Sequence, residues 1–342
     1  MLRAVTEEAG RAPDLALGFL PPDDSLPDTL DCMTELWPGA LRFGCEAVTQ
    51  FADDATTNRG SLQLFWFDDP NHHAVVEVVT GSPEEPPAPE VVEDLARRLS
   101  GADGALLIVD GLRFPAERFL SDLHGRLQGQ PLLVAGGLAS QSLPVSRSGA
   151  RVFFQDRLYP AACLAVALHG VSMRVEVVRG WTPASPVYTV DRAEDNVVHE
   201  IDGVPAVEWY RRFFSVDGAM APMPDTAYRF PLIIEGPAPE RRGLYRTMRH
   251  FDRPAGAVTY WGAVQTGDQV RLGMGNGRSL VHTASQLTAG PAPEEVSTIH
   301  RALGGAALSG FFTFGEIGPT PGGGLAFYNQ TAILVLLSEV RS

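Results

Sequence analysis

Lysine is absent from this chain: all 27 basic residues of its 342 are arginine. That excludes chemistry built on a side-chain amine, namely Schiff-base and pyridoxal-phosphate lysines, the phosphate-binding lysine of Walker loops and the kinase lysine. Cysteine is scarce. Cys32, Cys45 and Cys163 are odd in number and lack C-x-x-C spacing, which argues against a disulfide scaffold and against cysteine-based zinc. Buried free thiols are the expected state, most clearly for Cys163 in its apolar run. Long hydrophobic runs are missing too. The longest, Ala161–Leu168, is far short of the roughly 20 residues that cross a bilayer. The first ten residues hold Arg3, Glu7 and Glu8 and no apolar segment, so no secretory signal and a cytoplasmic location are expected. Neither a G-x-S-x-G elbow nor an H-E-x-x-H helix occurs, and the eight histidines are scattered, so no metal site is expected.

What is present fits a folded protein. Hydrophobic residues make up 44% and charged residues 20%, close to globular averages, and the length predicts two domains. The net charge of −14 is unevenly spread: residues 1–90 hold 17 acidic residues against 4 Arg. Such a surface disfavours nucleic acid and anionic membranes as partners. It reads first as a solubilising face, with a docking surface for a basic protein as the alternative.

Periodicity orders the chain as strands and helices. Asp14–Leu20 reads as a buried strand and Ser25–Trp37 as a helix. Runs from Leu41, Ser61 and His73 read as strands, and Glu90–Leu99 follows a Pro-rich acidic loop as a helix. Gly104–Gly111, a helix around Pro115–Leu127 and Pro131–Gly137 form a strand, helix, strand unit with buried strands of parallel type. Three apolar runs over 151–180 read as an antiparallel meander, and Trp181–Asn196 as a loop or crossing segment. A second set begins at Val197, with Pro205 opening a helix over Ala206–Phe214. Strands follow at FPLIIEG, AVTYWGAV and QVRLGMG, helices around Ser279–Leu287 and Pro293–Leu303, and the strands GFFTFGEIG and LAFYNQTAILVLLSE end the chain.

Several segments bear on chemistry. Gly273–Gly277 has G-x-G-x-G spacing and reads as a turn rather than a dinucleotide loop. Val134–Ser140 (VAGGLAS) follows a buried strand; its amides suit an anion nest, and close strand packing explains the glycine pair equally well. Five arginines in Arg241–Arg253 suit carboxylate or phosphate, or else line the wet face of a strand. Gly310–Pro319 sets Glu316 between glycines beside three Phe. Glu316 is suited to accept hydrogen bonds from a ligand amine, with Asn329 and Thr331 as neutral polar contacts. Turn-bound roles weigh evenly against that. His169, His199, His250, His282 and His300 are each a candidate axial haem ligand, with a structural or surface role the favoured reading for each.

FGCEA around Cys45, VAGGLAS, ALHGV at 167–171, HEIDGVPAVEWY at 199–210, and FFTFGEIGP with NQTAILVL resemble, in order and spacing, the FIST family of sensory proteins. The resemblance covers nearly the whole chain. It implies an α/β protein (α+β mixed) of two domains, each a mixed β-sheet flanked by helices: a FIST N-like domain over 1–196 and a FIST C-like domain over 197–342. It further implies signal transduction through a small-molecule ligand, an amino acid or similar metabolite, and a separate signalling protein as receiver. On this expectation the ligand lies between the domains against Cys45, Gly136, Gly137, Ser140, Glu316, Asn329 and Thr331. No cofactor is expected by default. The family's haem-binding nitric-oxide sensors, which regulate histidine kinases, supply haem as the alternative. The chain departs from the family pattern where Trp181 replaces a frequent cysteine and where no cysteine follows Cys163. Binding without catalysis is expected, an enzyme using Glu316 or Asp202 as acid or base ranking last.

Overall fold

The computed structural model describes residues 7, 9–53, 55–140, 150–216, 219–220, 229–238, 241–275, 307–311, 313–320 and 324–340. The expected helices at 279–287 and 293–303, with His282 and His300, lie outside the described residues. The chain forms two compact units that are discontinuous in sequence. The first holds the chain through Glu176 and takes in again the segment ending at Ile317 and everything from Leu334; the second holds 177–290 and 318–333. A single division at 196/197 partitions the sequence, whereas these units partition space, and each takes more than one stretch of chain.

Two sheets organise the first unit. In one, β1 (Leu15–Leu20) lies parallel to β2 (Leu41–Glu46) and antiparallel to β5 (Ser61–Phe65), and β2 carries the short hairpin β9 (Val152–Phe154) and β10 (Arg157–Tyr159). In the other, β7 (Gly104–Val109) lies parallel to β8 (Val134–Leu138) and antiparallel to β11 (Ala162–His169), which pairs onward with β6 (His73–Thr80). All six residues of β7 are buried, as an unbroken Gly-Ala-Leu-Leu-Ile-Val run requires of a parallel strand covered on both faces. Each fully buried Leu, Ile or Val contributes roughly 1.5–3 kcal/mol of hydrophobic transfer. The end of β8 is closed by β25 (Glu316–Pro319), whose Glu316 and Ile317 stand in register with Gly137 and Gly136.

Helices α1 (Leu26–Leu36), α2 (Pro89–Leu99) and α3 (Ala116–Leu127) belong to this unit. Proline at the start and Glu90 in the first turn of α2, with Arg97 and Arg98 in its last, complement the helix dipole. Its buried Val92, Leu95, Ala96 and Leu99 repeat at three and four residues, and α3 repeats the pattern with Phe119, Leu120, Leu123 and Leu127.

The second unit is an antiparallel sheet around β14 (Tyr188–Glu194), β15 (Val197–Ile201), β19 (Leu232–Gly236), β22 (Ala257–Tyr260) and β23 (Gln269–Gly275). Helix α4 (Ala206–Phe214) starts after Pro205 as expected and buries Trp209 and Tyr210 in the core of this unit.

Three expectations are corrected. The run 151–180 is not a meander: only β9 and β10 pair as a hairpin, while β11 inserts between β6 and β7, because its seven consecutive buried apolar residues suit a central position. Residues 181–196 are not a loop. They contain a short strand, Trp181–Pro183, and β14, in which only Val190 is fully buried, so the apolar alternation is too sparse to announce a strand. Gly273–Gly275 continue β23 against Trp181–Pro183 instead of turning; residues 276 and 277 lie outside the described set. No helix among the described residues is long and apolar enough to cross a membrane.

Candidate functional site

The carboxyl ends of parallel strands are where open α/β sheets place ligands, and in the first unit those ends gather buried polar groups. Glu46 closes β2 with no exposed surface. Its carboxylate accepts the Arg151 amide at 2.7 Å and the Arg151 guanidinium at 2.5 and 3.1 Å. Asp110 follows β7, equally buried, and accepts three backbone amides: Leu112 (2.9 Å), Arg113 (3.1 Å) and Ala161 (2.9 Å). Ser140 follows β8; its amide donates to the Glu46 carbonyl at 3.1 Å and its hydroxyl accepts the Val48 amide at 3.4 Å. Glu316 accepts the Thr313 hydroxyl at 2.8 Å and is 8% exposed.

The expected residues fall as follows. Cys45 is completely buried in β2 between Phe19 and Val152 in register, and burial, with Glu46 adding to it, pushes its thiol well up, so it persists as an unreactive thiol. Gly136 has a packing role: an added Cβ would lie 1.8 Å from the Leu107 carbonyl oxygen of β7. At Gly137 a Cβ would meet the Thr313 Cγ2 at 2.8 Å and the Phe311 ring at 3.1 Å. Phe311 in turn stacks on Phe19 with centroids 4.5 Å apart. Cys45, Gly136, Gly137, Ser140 and Glu316 therefore share the first unit. Asn329 and Thr331 belong to the second. There Asn329 Oδ1 accepts the Thr247 amide at 3.4 Å and its Nδ2 donates to the Tyr328 carbonyl at 3.2 Å, while Thr331 is buried at a strand start.

The arginine run is corrected in part. Arg246 is 1% exposed and donates to the carbonyls of Ala263 (2.9 Å), Tyr245 and Phe327 (3.1 Å each). Arg241 is paired with the buried carboxylate of Asp268 at 2.7 Å. These guanidiniums do not line a wet strand face: their several fixed donors satisfy carbonyls that the sheet leaves open.

Two cavities, each of about 240 Å³, open in the first unit, and none of the seven expected residues lines either. One is apolar, bounded by Leu15, Phe43, Leu64, Trp66 and Leu106, with Glu339 at its edge. The other is polar, bounded by Asp14, Gly39, His72, His73 and Gln155. Sequence reasoning passed over Glu46, Asp110, Gln155 and Glu339. The signal for the first two was present, since each is an acidic residue directly ending a buried strand. Nothing local marks the other two.

The model of the FIST N domain matches residues 14–204, more than half of the chain. The chain belongs to the FIST family. FIST domains form a family of sensory and signal-transduction domains, and this member has uncharacterized mycobacterial relatives. Mycobacterium tuberculosis strain H37Rv Rv0628c is 27% identical over 300 aligned positions, covering 74% of this chain and 76% of its own. Mycobacterium bovis Mb0898c is 26% identical over 402 aligned positions, covering 98% of this chain and 94% of its own. The FIST N match runs from one residue before β1 into the start of the second unit, so it spans the sheet ends that hold Glu46, Asp110 and Ser140.

Proposed function

We propose that this chain is a cytoplasmic sensory protein that binds a small metabolite, such as an amino acid, and passes the signal to a separate receiver protein, with residues 197–342 acting as its FIST C-like half. The match to the FIST N domain carries the reading. The candidate contact is Glu316, whose carboxylate is held by the Thr313 hydroxyl opposite Gly137. A ligand ammonium is a stronger donor than that hydroxyl and replaces it on binding.

Binding without catalysis is the favoured chemistry because the two carboxylates offered as acid or base lie in different units of the chain. Glu316 holds Thr313, and Asp202, in the second unit, accepts the Thr189 amide at 2.7 Å in a turn. Of the candidate axial haem ligands among the described residues, His169, His199 and His250, none lines either cavity, which makes haem the less favoured reading. His72 and His73 bound a cavity of about 240 Å³, below the range of pockets for drug-sized ligands. Both rings are engaged, His72 by Glu339 and His73 by the Asn71 carbonyl.

Native mass spectrometry of protein purified without added ligand tests the reading. A stoichiometric small mass, lost in the Glu316→Gln variant, is expected. An apo mass in both, with no amino acid shifting the melting temperature, overturns it and leaves the acidic first ninety residues as a docking surface for a basic protein.

A further inference from the structure

The two cavities of the first unit share Leu15 and Phe67 as walls, so they are neighbours, at the opposite end of β1 from Glu46 and Ser140. We infer that the two cavities act as compartments of one cleft, a separate binding site for an amphiphilic amine, its apolar body in one compartment and its ammonium head in the other.

The apolar compartment is walled by side chains from both sheets: Leu15, Phe43 and Leu64 from one, Leu106 and Leu168 from the other, with Trp66 beside them. Trp66 is oriented by its indole N–H, which donates to the Arg11 carbonyl at 3.2 Å. A volume of about 240 Å³ admits a phenyl ring or a short branched alkyl chain. The partition between compartments is polar. Glu339, at the edge of the apolar one, receives the Asp68 and Asp69 amides at 2.9 Å and His72 Nδ1 at 2.6 Å, and His72 lines the polar compartment. These donors hold the Glu339 carboxyl below the usual glutamate range, so it is anionic at neutral pH.

The polar compartment sets the head group. Gln155 Oε1 is buried on its wall without a hydrogen-bond partner, and a buried acceptor left open favours a ligand that donates. The charges nearby select the cation. Asp14 lines this compartment and Asp69 stands 3.8 Å from His72 Nε2. Arg11 pairs with Asp14 and donates to the Phe67 carbonyl, and Arg42 donates to the carbonyls of Trp37 and Ala40, so the selecting charges are those of Asp69 and Glu339. Gln155 is also fixed in place. It sits at φ 59° in the two-residue turn between Phe154 and Arg157, and its amide donates to the Arg42 carbonyl at 2.7 Å.

The test is a titration of the full chain with 2-phenylethylamine, 2-phenylethanol and 3-phenylpropionate, followed by tryptophan fluorescence and ligand-observed NMR. Saturable binding of the amine is expected, about tenfold tighter than the acid and about fivefold tighter than the alcohol. The fluorescence change should vanish in Trp66→Phe while the NMR signal persists. Gln155→Gly, which the left-handed backbone accepts without strain, should weaken the amine about five- to tenfold while the melting temperature holds. Absence of saturable binding by any of the three probes, equal affinity for acid and amine, or an unaltered Gln155→Gly variant each overturn the inference. The reporters and variants lie away from Glu316, so failure of the ammonium contact at Glu316 and failure of this cleft are read separately.

Discussion

Gly136→Ala separates a packing role from a ligand role at the VAGGLAS turn, and its cost can be worked from the structure. The new Cβ would stand 1.8 Å from the Leu107 carbonyl oxygen and 2.7 Å from its carbon, where contacts under 3.0 Å are essentially never observed. β7 and β8 must therefore part locally by about 1.2 Å. The obstacle is backbone, which cannot swing aside as a side chain does, and it sits at the centre of the parallel pair running from Ala105–Val134 to Val109–Leu138. Overpacking typically costs about 1–3 kcal/mol, and the rigid obstacle places this variant at about 3 kcal/mol. For a unit of this size that lowers the melting temperature by roughly 6–12 °C. Urea unfolding followed by circular dichroism measures it, with Gly125→Ala in α3 as the reference. Nothing lies within 4 Å of the Gly125 Cβ position, so that variant should gain about 0.5–1 kcal/mol from helix propensity. A Gly136→Ala protein within about 0.5 kcal/mol of the parent, well inside the range of ordinary surface substitutions, would refute the reasoning and return the glycine pair to the anion-nest reading.

Gly137→Ala should cost less, about 1 kcal/mol, because its Cβ meets side-chain atoms of Thr313 and Phe311 that can shift; equal losses at both glycines would contradict this. A thiol reagent should modify one cysteine rapidly in the native protein, the exposed Cys32, and all three in denaturant, since burial pushes the thiols of Cys45 and Cys163 up. Two fast thiols would count against the burial of the apolar strands. Glu339 is held down by the Asp69 and Asp68 amides and by His72, so its folded state favours the anion. Its contribution is therefore present above the ordinary value of 4.5 and fades as pH falls through the lower folded value. The stability gap between parent and Glu339→Gln should accordingly close in acid, and a gap that widens there would reverse the assignment. Arg246→Met should lose about 2–4 kcal/mol, because three carbonyls in the second unit lose their donor at a site with almost no solvent; an exposed arginine would lose almost nothing.

The sequence alone determined the elements whose signals lie within a few residues. Pro205 followed by an apolar stripe determines α4, and the run Gly104–Val109 can only be a strand covered on both faces. The order of weak motifs was sufficient to name the family. The tertiary structure decided what depends on distant partners. It placed β11 between β6 and β7 and gave Gly136 its reason for being glycine, which is a carbonyl 29 positions earlier in the chain. It buried Arg246, whose neighbours in sequence point to a wet strand but whose acceptors lie at residues 245, 263 and 327. Gln155, a hairpin-turn residue, and Glu339, near the end of the chain, became parts of one cleft only when two sheets and the last strand were assembled around them. Local periodicity reports which face of an element is apolar. What covers that face, and which polar groups are left open beside it, is set by contacts between residues tens to hundreds of positions apart, and no short window of sequence contains both members of such a pair.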